Sequence, residues 1–575
     1  MLFWTTATCA ASFAASVQST YLVMEASGSA KVNHDFTVTN TTPTTFVDSY
    51  QIILDRDNLN NLIVDPKNED IAKDINRENG QTKISLKFNN EVVGEGRKRA
   101  WSVIYDDPNI ANFTGQVAEI NIPLLANDEQ YHEYGLILKV PSRLGEPSKI
   151  NLEPDNIQAV GGGLTQYTWK KLGDEKQLTM TFGARQVIDF QLRYQLFNQS
   201  GDVIYQQIAL PGDDAWQTLN YQQISPLPES LNLDFDGNYL ATYRLTAGEE
   251  LIVNAGGQAI LIEKNQIPSS VDTDKYLSAA NFWEIKDESV QAFASKAGDV
   301  RGIYQYLTNE FSYLDNETQM RRGARQALAD KSGVCEDFVD VFVAAARAQG
   351  TPARRVIGWT NESNNFTLHV WAEWYDNTQE TWRRADPTFG NTSKRDYFDN
   401  FDLFHFALVK NGYYGSELPK APQEVSVKYA EPIFDQTDPL AAPKLELKAR
   451  RFGFLPIPGF YDLLITNTQG RTIYGLYPEF FPDNTDVRVS LHQSDSLTLL
   501  PFQTQTLALS VYNQHWLQFW QLSELKASLQ NNVQDLYVET SQNIISFSFI
   551  GLAGIAACVA FAFTAWSILV ARRKK

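Results

Sequence analysis

Between about Tyr21 and Ile262, hydrophobic and polar residues alternate in short runs, the two-residue period of half-buried strands. Lys31–Val38, Thr44–Leu54, Thr82–Phe88, Tyr134–Val140, Leu178–Phe182 and Val187–Tyr194 are rich in β-branched and aromatic residues. Turn residues separate them at the intervals of a sandwich. This half predicts two β-sandwiches, 19–155 and 156–270, divided near Pro154 to Gly163 at the Gly161-Gly162-Gly163 run. Asn232 to Gly237 matches the first half of a calcium loop. Tyr243 stands where a bidentate Glu is needed, so a hairpin turn is the expected reading.

The period changes near Tyr276. Val290–Ala297, Val300–Phe311 and the stretch after Cys335 carry apolar residues at helical spacing. Strands follow near Phe366–Tyr375 and Glu380–Ala385, which outlines an α+β domain over 275–425. A β-rich region at 440–513 reads as a membrane-proximal domain, and 514–543 as a stalk, helical over Gln514–Gln534.

The ends suggest a topology. Ile544–Ala571 carries no charge and precedes Arg572, Arg573, Lys574 and Lys575. It exceeds the roughly 20 apolar residues that cross a bilayer, so a C-terminal transmembrane helix over 544–571 is expected. The basic tail 572–575 would stay in the cytoplasm, leaving an ectodomain outside a single-pass cell-membrane protein. Residues 1–18 would then hold a signal segment, small and apolar over Leu2–Val17, although no Lys or Arg precedes it.

Composition narrows the function. A net charge of -19 argues against nucleic acid as the main partner. The 575 residues contain three cysteines, two of them in the apolar ends, so Cys335 is the one thiol of the middle. A lone Cys is most often a small buried hydrophobe, and its neighbours decide. In Gly333-Val334-Cys335-Glu336-Asp337-Phe338, the apolar positions Phe338, Val341, Phe342 and Ala345 place Cys335 on the first turn of a helix. Unpaired backbone N–H groups and the helix dipole favour negative charge there, and the Cys335 N–H can serve as an oxyanion donor. Gly333 is expected to leave room for a substrate carbonyl.

His369 lies on an alternating strand, sharing a face with Thr367, Trp371 and Glu373. The next strand, Thr381 to Asp386, stops at Pro387. Paired antiparallel, the two would bring Asp386 beside His369, to hold its tautomer. Taken alone, His369 reads as an ordinary strand residue, and His405 as structural.

Gly-Val-Cys-Glu-Asp-Phe at 333–338, Ala348–Arg354, His369-Val370-Trp371-Ala372-Glu373, Trp382 and Asp386-Pro387-Thr388 together resemble the transglutaminase-like superfamily. Arg322–Leu328 is similar to the segment before the nucleophile in microbial members. The resemblance covers about residues 290–410 and implies a papain-like α+β core flanked by the β-sandwich domains. It implies Cys335 as nucleophile, His369 as base and acid, Asp386 as third member, and Trp371 and Pro387 as shaping the site. Relatives often place a Gln or Trp upstream as oxyanion donor, and Gln326 is the candidate. No cofactor or metal is implied. The substrate class is a protein or peptide amide, cell-wall peptide included. The chemistry is crosslinking, deamidation or hydrolysis through a thioester, and the alternative is a catalytically silent binding scaffold.

Overall fold

The computed structural model describes residues 13–547 apart from 79, 126–130, 173–175, 263–271, 315–320, 363–364, 394, 414–419, 436, 492–495, 515–519 and 532–535. It replaces the expected α+β class with a mostly β chain, 57% strand and 11% helix. All five α-helices among the described residues fall between Glu288 and Ser393.

The chain divides into two compact units. One takes Met1–Gln186 with Phe389–Leu403, the other Val187–Thr388 with Phe404–Lys575. In the first, Phe13–Met24 pairs in parallel with Tyr131–Pro141 and antiparallel with Ser29–Asn40, inside a seven-stranded sheet. Its residues alternate in burial, with Val17, Tyr21 and Val23 turned into the core. Phe13–Val17 therefore belong to a core strand, which corrects the signal-segment reading there, while residues 1–12 lie outside the described residues. Composition suggests a leader there, whereas burial alternates along the strand as its two-residue period requires. Trp101 stacks on Phe36 at 5.5 Å in this core. The Gly161–Gly163 run is a hairpin turn between Asn156–Val160 and Leu164–Trp169, so the expected boundary at 155 gives way to one at Gln186.

The second unit begins with two small sheets. One orders Gln217–Ser225, Glu250–Ile262, Arg185–Phe197 and Glu424–Tyr429; the other holds Ile204–Leu210, Tyr239–Leu245 and Ser230–Leu233. Asp234 to Asn238 is the hairpin turn, closed by the Asn238 N–H on Asp234 Oδ1 at 2.7 Å.

The helices follow: α1 (Glu288–Ala297), α2 (Val300–Glu310), α3 (Ala324–Asp330), α4 (Cys335–Ala348) and α5 (Pro387–Ser393). They accompany a four-stranded antiparallel sheet of β1 (Ala353–Glu362), β2 (Asn365–Asp376), β3 (Thr381–Ala385) and β4 (His405–Asn411), in the order β3-β2-β1-β4. The outer edge of β4 is not left open. Gln217 donates to the Ala407 carbonyl at 3.0 Å and accepts from its N–H at 2.9 Å. Asn238 repeats the pattern on Lys410 at 2.7 and 2.8 Å. Two buried amides thus satisfy an edge that would otherwise carry orphaned backbone groups.

The C-terminal sheet contains β5 (Lys444–Phe452), β6 (Leu455–Thr466), β7 (Thr504–Asn513), β8 (Trp520–Asn531) and β9 (Leu536–Phe547). The expected helical stalk runs instead as β8, with Ser523, Leu525, Ala527, Leu529 and Asn531 buried at period two. Leu522, Leu525 and Leu529 also fit a helical spacing, so the sequence here is compatible with either element. No helix among the described residues is long and apolar enough to cross a membrane. The expected span at 544–571 starts inside β9, where Ile544 is buried, and 548–575 lie outside the described residues.

The amide clasp on β4 carries a prediction. Gln217→Ala strands a buried N–H and C=O of Ala407, costing about 1–3 kcal/mol. The urea unfolding midpoint should fall accordingly; an unchanged midpoint would show that the clasp contributes nothing.

Candidate active site

Cys335 opens α4, half-buried, on a helix whose remaining side chains are almost all enclosed. The two acids that follow it inside the core are both engaged. Asp337 accepts from the Val334 N–H at 3.2 Å, the Arg322 N–H at 2.9 Å and Arg322 Nε at 3.2 Å. Asp340 accepts from Trp283 Nε1 at 2.8 Å and Arg321 Nε at 2.7 Å. Burial pushes its carboxyl up to about 6 against the pull of Arg321. These bonds fix the first two turns of α4 and so the position of the thiol. A Cβ at Gly333 would lie 2.4 Å from that of Asp337. Glycine at this position is what lets Asp337 pack so close to the chain.

β2 carries His369, and β3 ends one residue before Asp386. Ala372 pairs with Ala385, so Asp386 sits just past the last rung, diagonal to His369. His369 Nε2 donates to Asp386 Oδ2 at 2.7 Å. The Cys335 thiol is the other hydrogen-bond partner of the ring, which leaves it Nδ1. The structure therefore brings Cys335, His369 and Asp386 together in one chain of contacts.

Asp386 is fully buried and receives two further bonds. The Thr388 N–H donates to Oδ1 at 3.0 Å, which makes Asp386 a cap on α5. His405 Nε2, from β4, donates to Oδ2 at 3.2 Å. Burial would raise this carboxyl, but the charge and hydrogen bond of His369, with His405 behind them, hold it well below the usual carboxylate range. On His369, burial pulls the other way and is outweighed by the Asp386 carboxylate and then by Cys335. The imidazole is pushed up to about 10. His369, Asp386 and His405 each offer an atom a metal ion could use, all within 4.8 Å. Each imidazole Nε2 is also at hydrogen-bond separation from Asp386 Oδ2, at 2.7 and 3.2 Å.

Trp371 is buried beside them, its ring 6.5 Å from His369 and nearly parallel, and edge-on to His405 at 5.0 Å. Its Nε1 has no hydrogen-bond partner among the described residues. Gly358 on β1, opposite His369, makes this packing possible, because a Cβ there would meet Trp371 Cη2 at 2.8 Å and the Phe406 carbonyl at 2.0 Å. Pro387 starts α5, where its missing N–H costs nothing. Gln326 is not brought to the site. It is exposed on α3, and its amide bonds only Asp330, at 3.1 Å. His405, Gly358 and Arg355 were not identified from the sequence as parts of the site. Arg355 is buried, bonds Glu336 at 3.1 Å, and lies near enough to Cys335 for their charges to interact. A histidine followed by buried apolar residues was the only signal for His405.

Residues 284–387 match the family model of the transglutaminase-like superfamily. No curated protein matches the chain by sequence. Among solved structures, it is similar to a candidate cysteine protease from Cytophaga hutchinsonii, at 15% identity and TM-score 0.31, over 44% of this chain and 92% of that one. A candidate protease from Parabacteroides distasonis matches at 10% identity and TM-score 0.21, over 93% of both chains. Red sea bream transglutaminase matches at 11% identity and TM-score 0.16, over 89% of this chain and 80% of its own.

The His369 proton gives a signed pH dependence. Folding raises the ring from 6.5 to about 10, so its stabilisation is complete below pH 6.5 and lost as pH rises through about 10. The melting-temperature gap between the native protein and His369→Gln should therefore narrow from about pH 7 to about pH 10.5. A constant or widening gap would contradict a charged pair.

Proposed function

We propose that the chain is a thiol enzyme of the transglutaminase-like kind, which transfers or hydrolyses the acyl group of a protein or peptide amide. The observation that carries this reading is the contact chain from the Cys335 thiol through His369 to the buried Asp386 carboxylate. The match of residues 284–387 to the family supports it independently.

In this reading Cys335 and His369 rest as a thiolate–imidazolium pair. The thiolate attacks the amide carbonyl, forming a C–S bond and an oxyanion that the Cys335 backbone N–H accommodates at the helix start. His369 then gives its proton to the departing nitrogen, the C–N bond breaks, and a thioester and a free amine remain. Water or a second amine attacks the thioester, returning a proton to His369 and the sulfur to thiolate. Asp386 keeps the Nε2 proton in place throughout, so the ring works through Nδ1. His405 is a positioning residue that shares the load on Asp386 without touching substrate.

Trapping the acyl-enzyme tests the reading. The native protein, incubated with glutamine-containing peptides and quenched in acid, should gain the mass of the acyl group, with hydroxylamine releasing it. Cys335→Ala should keep the fold, form no adduct and lose turnover by about four orders of magnitude or more. An adduct or full turnover in that variant would sink the proposal.

The positioning role has its own outcome. His405→Phe should lower kcat by roughly tenfold while KM stays near its native value. A change confined to KM would contradict it.

A further inference from the structure

The chain leaves the four-stranded sheet after β3, passes Asp386 into α5, and re-enters the sheet at His405, the first residue of β4. The two residues at the neck of this excursion are bonded to each other, His405 Nε2 to Asp386 Oδ2 at 3.2 Å. Between them the chain changes company. Thr388 and Phe404 belong to the second compact unit, whereas Phe389–Leu403 belong to the first. The excursion therefore starts and ends on groups of the candidate site but is packed elsewhere.

Within the first unit a buried ion pair grips it. Arg395 donates from both terminal nitrogens to Glu119, on the strand Val117–Pro123: Nη1 to Oε2, and Nη2 to Oε1 at 3.0 Å. Both side chains are buried. A two-pronged contact of this kind fixes the plane as well as the separation of the two groups. The same guanidinium donates to the Asn400 carbonyl at 3.2 Å and lies over the Tyr397 ring at 4.9 Å, which folds the excursion back on itself. Tyr397 in turn packs edge to face with Phe389 at 5.6 Å and Phe401 at 6.0 Å. Apolar residues of similar volume would hold such a place about as firmly, because burying two ions costs much of what their attraction returns. What a buried pair adds is one defined geometry.

We propose that Arg395, clamped by Glu119, is a positioning residue for the candidate site, acting through His405. Held in one place, the excursion delivers its two ends, Asp386 and His405, at hydrogen-bond distance. Released, it lets the His405 ring draw away from a carboxylate that needs every donor it has, and the orientation of His369 loosens with it. The kinetic consequence rests on the thiol-enzyme reading, whereas the placement of His405 does not.

The test uses the full chain and two variants. Glu119→Gln keeps the volume and an acceptor oxygen but removes the charge. Glu119→Gln/Arg395→Met removes both charges, so that neither ion is left buried without its partner. In protein carrying isotope-labelled histidine, exchange of the His405 ring N–H with solvent is followed by NMR. The reference is His34, a buried ring of the first unit bonded to Ser19 and Tyr105 at 2.7 and 2.8 Å. Both variants should speed exchange at His405 several-fold and leave His34 at its native rate. Unchanged or slower exchange at His405 would overturn the proposal. So would an equal or larger gain at His34, which is what a general loss of stability produces. Turnover of a glutamine-containing peptide by Glu119→Gln should fall towards that of His405→Phe, with KM near its native value. Adding Glu119→Gln to His405→Phe should cost nothing further, and additive losses would contradict an action through His405. The exchange measurement needs no turnover, so it still decides the placement of His405 if the thiol-enzyme reading fails.

Discussion

A carboxylate with no exposure to water has to be compensated by its surroundings, and Asp386 sets that condition for the half of the molecule that holds the candidate site. Donors that meet it include His369 on one side of the sheet, His405 from the far strand, and the Thr388 N–H at the helix that follows. Each comes from a different element, so the ion can exist only when β2, β4 and α5 are in place together. The same charge keeps His369 protonated, and the His369 ring is what the Cys335 thiol bonds. Removing the carboxylate would strand two buried imidazoles as well as silence the pair.

The surrounding structure shows how that condition is maintained. β4 carries His405 at the sheet edge, and the side-chain amides of Gln217 and Asn238 hold that edge in register. Gly358 on β1 leaves the gap in which the Trp371 ring packs against both histidines. On the other side of the site, Asp337 and Asp340 are tied to Arg322 and Arg321, so the start of α4 cannot swing the thiol away. The β domain before the core thus bears on the chemistry through backbone support, without supplying a reacting group.

The sequence made some of this legible and hid the rest, for physical reasons. Cys335 at a helix start and His369 on an alternating strand were readable because both signals are local in the chain. Asp386 was readable because a short connection and Pro387 limit where the next strand can lie. His405 was not, since it reaches Asp386 from across the sheet, and the register of a non-neighbouring strand leaves no local trace. Gly358 and Gln217 were missed on the same ground. Two short stretches near the ends read differently. Phe13–Val17 and Ile544–Phe547 are apolar enough to suggest targeting and membrane segments, yet they alternate and pair as strands.

The central claim is a thiolate held by a protonated His369, and the reactivity of the thiol itself tests it most directly. Alkylation of Cys335 by iodoacetamide at neutral pH should be rapid, and His369→Ala should slow it many-fold. Slow labelling that is indifferent to His369 would contradict the account.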